Sequence, residues 1–290
     1  MTLLNDYLKE KYGCKVYKLA LSADVSCPNR DGTLSDRGCT FCSEGGSGEF
    51  AAQRLLPIPD QITEAKSRVS QKIKNGKYIA YFQSFSNTYA PVAYLRKIYH
   101  EAIGPEEIVI LSIGTRPDCL GDDVIELLKE INRIKPVWVE LGLQTVHDST
   151  AERINRCYPL SVYDDALLRL KDAGIDVVTH VILGLPGETE QMMLQTVKYV
   201  ANCGVFGIKL QLLQILRGTA MAREYYNGNV HVMALSEYTD LIRKAVSLIP
   251  DHVVIHRLTG DGPKNLLIAP SWSADKKRVI NTLYRALYGQ

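Results

Sequence analysis

The sequence predicts an α/β protein in which strand–helix units build a parallel sheet curled into a partial barrel, with an α/β extension behind it. Three observations carry this expectation. Short apolar runs rich in β-branched residues recur along the chain, helical stripes separate them, and successive runs start roughly 30 to 40 residues apart, the length of a βα unit.

The runs are CKVYKLALS (14–22), KYIAYFQ (77–83), EIVILSIGT (107–115), VWVELGLQT (137–145), DVVTHVILG (176–184) and GIKLQLLQI (207–215). Apolar on both faces, they are the strands of a sheet covered on both sides. Ile62, Ala65, Val69 and Ile73 form one helical stripe after Asp60, a candidate N-cap. Val124, Leu127, Leu128, Ile131 and Ile134 form another after Asp122 and Asp123. Ala166, Leu167 and Leu170 precede Gly174, and the stretch from Thr189 to Cys203 precedes Gly204, both glycines in helix-stop positions. Six units are three-quarters of an eight-unit barrel, so the expected architecture is a partial (β/α)6 TIM-type barrel over residues 1–220. After residue 220 the period breaks. A helix over 236–248, a strand over 252–257 and a helix over 273–288 read as a C-terminal cap, 221–290, in the same compact unit.

With 34 basic and 32 acidic residues in 290, the net charge of +2 does not announce a nucleic-acid coat, though it permits a local basic groove. The N-terminus MTLLNDYLKEKYG lacks the apolar core of a signal peptide. No apolar run approaches the roughly 20 residues that span a bilayer. The chain is therefore expected to be cytoplasmic, where thiols stay reduced and clustered cysteines serve metals or catalysis rather than disulfides.

Three of the seven cysteines, Cys27, Cys39 and Cys42, lie in one loop (26–48) directly after the first strand, spaced C-x11-C-x2-C. That loop belongs at the C-terminal face of a barrel, where such enzymes carry out their chemistry. The spacing suits zinc or an iron–sulfur cluster. Zinc as a structural ion wants four protein ligands, and the nearest histidine in sequence is His100. A [4Fe–4S] cluster held by three cysteines leaves one iron open to an external molecule. Spacing alone leaves both readings open.

C-x11-C-x2-C with Phe41 inside the last pair resembles the radical S-adenosylmethionine (SAM) enzymes, in particular their coproporphyrinogen-oxidase and Elongator-like branch. CPNRDGT, the GSG after Cys42, YFQSFSNTYAP, IGTRPDCL, ELGLQT, HVILGLPGET, the RGT of ILRGTAM and IHRLTGDGP are similar, in order, to the YtqA/YhcC-type subgroup. The resemblance implies that Cys27, Cys39 and Cys42 ligate a [4Fe–4S] cluster and that SAM chelates its open iron. It also implies reductive cleavage of SAM to a 5′-deoxyadenosyl radical, and a partial barrel as the scaffold. For the subgroup it implies a tRNA substrate, the wobble uridine, carrying a 5-aminomethyl-type side chain. The implied partners are a low-potential electron donor such as flavodoxin or ferredoxin and a companion tRNA-modification enzyme. The alternatives are a small-molecule substrate such as a porphyrin precursor, or a zinc or iron–sulfur binding module without catalysis.

The resemblance also implies SAM contacts. Phe41 meets the adenine. Gln83 and Ser84 end the second strand, where the superfamily often grips the SAM amino group with glycines absent here. Ser112 or Thr115 takes the ribose, since Gly114 stands where a related motif has an acid. Gln144 and Arg156, twelve residues apart, match a pair that contacts the ribose and the SAM carboxylate. A guanidinium suits that carboxylate through paired, charge-assisted hydrogen bonds. The plainer reading of Arg156 is an ion pair with Asp148. Cys157 and Tyr158 follow it where the subgroup is expected to have glycine and histidine. His180 is a ribose ligand or a hydrogen-bonded core histidine; Glu140 is structural or faces substrate; Gln211 and Gln214 stand at expected histidine positions. Cys14, Cys119, Cys157 and Cys203 are expected to be buried, with Cys119 a candidate thiol donor. Arg257, Asp261, Trp272 and Lys276 are cap packing or a substrate wall. Lys9, Lys11, Lys15 and Lys18, with Lys276, Lys277 and Arg278, are a solvated charged face or a phosphate-contacting rim.

Overall fold

The computed structural model describes residues 1–46, 51–72 and 76–289. Ser47, Gly48 and Ile73 of the features above lie outside the described residues. The strands of the main sheet are β1 (Thr2–Leu3), β2 (Val16–Leu21), β3 (Lys77–Phe82), β4 (Ile108–Thr115), β5 (Val137–Gln144), β6 (Asp176–Leu183), β7 (Gly207–Leu212) and β9 (Val254–Arg257), while β8 (Ile215–Leu216) pairs antiparallel with β10 (Leu267–Ala269). The main sheet runs β1-β9-β7-β6-β5-β4-β3-β2 and is parallel throughout. The six expected strands are all present and paired in chain order, so the fold is the anticipated partial barrel.

The strand expected over 252–257 within the C-terminal cap joins the main sheet. Val254–Arg257 lies parallel beside β7, in register Gly207↔Val254 and Lys209↔Arg257, and Thr2–Leu3 adds to its far side. The reason is physical: the outer edge of β7 would otherwise present unpaired backbone groups. Eight strands result, and β1 and β2 stay as edges that do not pair with each other.

The helices are α1 (Leu4–Tyr12), α2 (Ile58–Val69), α3 (Val92–Ile103), α4 (Asp122–Asn132), α5 (Asp148–Arg153), α6 (Leu160–Asp172), α7 (Glu190–Asn202), α8 (Ala220–Tyr226), α9 (Leu235–Ser247) and α10 (Lys276–Tyr288). Asp60 sits in the first turn of α2 rather than at its cap, which is Pro57. Neither α1 nor α3 was foreseen from the stripes. The main core lies between the sheet and the outer helices, built from residues such as Leu127, Leu128 and Ile131 of α4 and Leu170 of α6.

Inside the barrel, period-two alternation sorts side chains into tiers. The bottom tier is apolar: Val16, Ile79, Ile110, Trp138 and Val178 pack with Leu8 of α1, which plugs this end. Trp138 is fully buried, its ring 5.1 Å from those of Phe206 and His256 and 6.4 Å from Tyr7. Two residues further along each strand, the next tier is polar: Lys18, Tyr81, Ser112, Glu140 and His180. Trp138→Ala is expected to cost about 3–5 kcal/mol of unfolding free energy. Denaturant titration checks this, and a loss well below 1 kcal/mol contradicts the plug.

Candidate active site

The polar tier is organised by one carboxylate. Glu140, 1% exposed, accepts hydrogen bonds from Lys18 Nζ at 2.6 Å and Ser112 Oγ at 2.8 Å on Oε1. On Oε2 it accepts from His180 Nε2 at 2.8 Å and from Lys209 Nζ. Burial drives the Glu140 carboxyl up, but the charges of Lys18 and Lys209 outweigh it and hold the group well below the usual carboxylate range. Burial, with the charge of Lys209, pushes His180 down to about 4, against the pull of Glu140. The imidazole is therefore neutral near pH 7. Because an ionised carboxylate only accepts, Nε2 carries the proton, and Nδ1 accepts from Gln211 Nε2 at 3.3 Å. Burial also pulls Lys209 well down from the ordinary lysine range, opposed by Glu140 and reinforced by Lys18 and Arg257.

Above this tier opens a cavity of about 250 Å³. The cysteine loop forms one wall, and neighbouring strand ends pin it in place. Arg30 donates to the carbonyls of Cys42 at 3.1 Å and Ser43 at 2.5 Å. Asn29 Nδ2 donates to Asn155 O at 2.6 Å and to Cys39 Sγ at 3.4 Å, and Asn155 Nδ2 donates to Gly38 O at 2.7 Å. Phe85 N donates to Gly46 O at 3.2 Å. Ser84, Phe85, Gln144, Asn155 and Cys157 all have positive φ, between 54° and 82°. Non-glycine residues rarely adopt this region, and such strain clusters at functional sites. At Cys157, φ is 65°, which suits the glycine that the resemblance places there.

Cys27, Cys39, Cys42, Phe41, Gln83, Ser84, Thr115, Gln144 and His180 all line this one cavity. Thr88 donates to Cys119 O at 2.6 Å, so the Thr115 hydroxyl gives its proton to Thr88 and keeps its lone pairs for the cavity. Gln144 lies against Gly142, where a Cβ would come within 2.7 Å of its amide nitrogen.

Two expected residues are placed elsewhere. Ser112 is fully buried on Glu140 and does not line the cavity. Arg156, 1% exposed, spends its guanidinium on the carbonyls of Leu143 (2.7 Å), Thr145 (2.6 Å) and Tyr158 (2.8 and 3.0 Å), with Asp148 at 3.3 Å. The turn after β5 exposes carbonyls that this fork satisfies, leaving no donor pair for a SAM carboxylate. Arg116, not singled out by sequence, does line the cavity, held bidentately by Asp118 at 2.9 and 2.6 Å.

Other expectations resolve as follows. Cys119 is buried, its thiol pushed up to about 12 by burial and Asp118, and it lines a separate depression with Thr88. Cys157 is exposed and Cys14 and Cys203 are half-buried, contrary to the expectation for isolated thiols. His100 Nε2 faces Glu130 at 3.3 Å on α3, away from the cysteines. Arg257 and Asp261 line the cavity; Trp272 packs on Tyr238 and donates to Met233 O at 2.9 Å; Lys276 pairs with Asp261. Lys18, grouped in sequence with a basic rim, lies inside the barrel on Glu140. Lys209 and Tyr81 were missed. Their signal was present: a lysine inside an otherwise apolar strand run, in phase with an interior histidine or acid.

An open parallel barrel with three cysteines in the loop after its first barrel strand, all lining its mouth, defines an enzyme class that mounts a metal cluster there. Comparison with known proteins agrees. The radical SAM superfamily matches residues 33–200, and the Radical_SAM C-terminal domain matches residues 205–288. The chain belongs to the radical SAM superfamily, and its cofactors are a [4Fe–4S] cluster and SAM. It is 45% identical over 284 residues to protein YtqA of Bacillus subtilis (98% of this chain, 88% of that protein). It is 38% identical over 270 residues to protein YhcC of Escherichia coli K12 (93% and 86%). A more distant relative, 26% identical over 163 residues (55% of this chain, 30% of that protein), is the tRNA uridine(34) acetyltransferase of Methanocaldococcus jannaschii. In fold, the chain is similar to archaeal Elp3 from Methanocaldococcus infernus, with a TM-score of 0.68 at 16% identity, covering 91% of this chain and 63% of that one.

The neutral His180 sets a pH dependence. Between pH 6.5 and about 4 the unfolded chain takes up a proton at this residue that the folded protein refuses, so stability falls as pH is lowered through that window. His180→Gln is expected to flatten this part of the profile, measured by denaturant unfolding at stepped pH. An unchanged slope excludes a neutral His180.

Proposed function

We propose that this radical SAM enzyme modifies the wobble uridine of tRNA, building a 5-aminomethyl-type side chain, with Cys27, Cys39 and Cys42 as the ligands of its [4Fe–4S] cluster. One observation carries the reading of the site: the three cysteines share a cavity with Phe41, Gln83, Ser84, Thr115, Gln144 and His180. The donor set fits a cluster, because thiolates are its usual ligands and Asn29 supplies Cys39 with the kind of hydrogen bond that tunes one. Among the described residues no three His, Cys, Asp or Glu side chains close on a single-ion position. The assignment therefore rests on thiol chemistry and on the superfamily.

The cluster and SAM together supply a 5′-deoxyadenosyl radical. The protein's own part is to bind, orient and exclude water. The Thr115 oxygen and the Gln144 amide are offered to the ribose hydroxyls, the strained Ser84–Phe85 backbone to the SAM amino group, and Phe41 to the adenine. His180, fixed as the Nε2–H tautomer by Glu140, presents a hydrogen-bond acceptor shared with Gln211. Arg156 acts at one remove, fixing the turn that carries Gln144.

The tRNA reading is supported by a relative named for uridine 34 of tRNA and by several relatives named Elongator complex protein 3. A base of a single-stranded anticodon loop can be turned out of its stack into a cavity, which a paired base cannot without unpairing. The expected partners are a low-potential electron donor such as flavodoxin or ferredoxin and a companion tRNA-modification enzyme. Among the described residues no helix is long and apolar enough to cross a membrane.

Anaerobic reconstitution with iron and sulfide, followed by reductant and SAM, is expected to yield 5′-deoxyadenosine. Cys39→Ala is expected to lose the cluster absorbance and the product while keeping its far-ultraviolet circular dichroism. Mass spectrometry of tRNA nucleosides from cells with and without the gene tests the substrate. An identical wobble-uridine profile in both overturns the tRNA reading, and SAM left uncleaved overturns the chemistry.

A further inference from the structure

Four arginine or lysine side chains line the cavity: Arg30, Arg116, Lys209 and Arg257. Three of these are accounted for, Arg30 by the carbonyls of Cys42 and Ser43. Arg116 is held by Asp118, and Lys209 by Glu140 with Tyr81 Oη at 3.3 Å. Arg257 is different. It ends β9, directly in register with Lys209, and it is half-buried. Among the described residues it makes no hydrogen bond and no ion pair. Its five N–H donors, in a fixed fork, face the cavity without a protein acceptor.

The acids nearby do not take them. Glu140 already serves Lys18, Lys209, His180 and Ser112. Asp261, which also lines the cavity, is paired with Lys276. Arg257 therefore faces the cavity with no carboxylate of its own, in register with Lys209, which Glu140 holds. A cationic wall with an open guanidinium is a receptor for an anion with two oxygens to offer.

We propose that Arg257, backed by Lys209, binds an anionic group of the substrate, a carboxylate or a phosphate, inside the active-site cavity. The inference rests on the reading of this cavity as the radical SAM active site, and it adds a substrate feature that reading does not contain. The anion anchors the substrate beside β7 and β9, at one side of the open sheet, whereas the cysteine loop follows β2 at the other. The atom to be modified then lies between the two.

The test uses the cluster-loaded protein under anaerobic conditions, titrated calorimetrically with sodium acetate and, separately, with inorganic phosphate, each with and without saturating SAM. At least one anion is expected to bind in the presence of SAM, and which one distinguishes a carboxylate from a phosphate. Arg257→Gln is expected to weaken that binding by about ten-fold or more, the loss of a charge-assisted pair. Arg257→Lys, which keeps the charge and loses the fork, is expected to recover part of it. Far-ultraviolet circular dichroism confirms that both variants fold. Failure of both anions to bind, equal binding by Arg257→Gln and wild type, or loss of binding once SAM is present each overturns the proposal; the last would mean that Arg257 takes the carboxylate of SAM itself. Formation of 5′-deoxyadenosine, measured in the same preparations, reports separately on the radical reading: anion binding without SAM cleavage would sink that reading and leave the anion site standing.

Discussion

The structure depends on a single buried carboxylate. Glu140 stands on β5 and reaches groups on β2, β4, β6 and β7, so its two oxygens tie together five strands of a sheet that never closes. A closed barrel is held by strand pairing all the way round. Here β1 and β2 remain unpaired edges, and the ionic tier supplies a tie across the interior that the missing backbone bonds cannot. Burying charge is expensive unless every donor and acceptor is matched. Glu140 meets that condition with four partners, and the same four partners decide the tautomer of His180 and the charge at the base of the cavity. Scaffold and site are therefore one electrostatic problem with one solution.

The mouth is held by a different kind of bond. Asn29, Arg30 and Asn155 stitch the cysteine loop to the carbonyls of its own turns and of the segment after β5. Of the left-handed residues at this mouth, Phe85 bonds Gly46 O through its N–H and Cys157 donates its thiol to Asn29 Oδ1. Strain of this sort persists only where the surroundings over-determine it. The polar tier below is ionic and the rim above is largely amide and carbonyl, with the guanidiniums of Arg30 and Arg116 as the charges beside the cysteines.

Much of this was legible beforehand. The six barrel strands could be read because β-branched apolar runs are a local signal, and the cysteine loop because its spacing is local too. The pairing of Val254–Arg257 with β7 was not, since four residues ending in arginine do not announce a central position. Arg156 shows a sharper limit. Side-chain identity suggested a carboxylate clamp, but the acceptors it meets are backbone carbonyls, and carbonyl direction leaves no mark in the residue letters. Lys18, Glu140, His180 and Lys209 were each visible as polar residues in apolar strands. Their convergence depends on cross-strand register, which only the folded sheet supplies.

The helix that seals the bottom of the barrel has a kinetic consequence. With Leu8 and Trp138 closing the N-terminal end, nothing passes through the bottom of the barrel. Anything that binds in the cavity above is admitted and released from the side of the open mouth. Whatever seats deepest must arrive first and depart last, so turnover in such a dead-end chamber is ordered by depth, and a large substrate resting on the rim acts as the stopper for the small ones behind it.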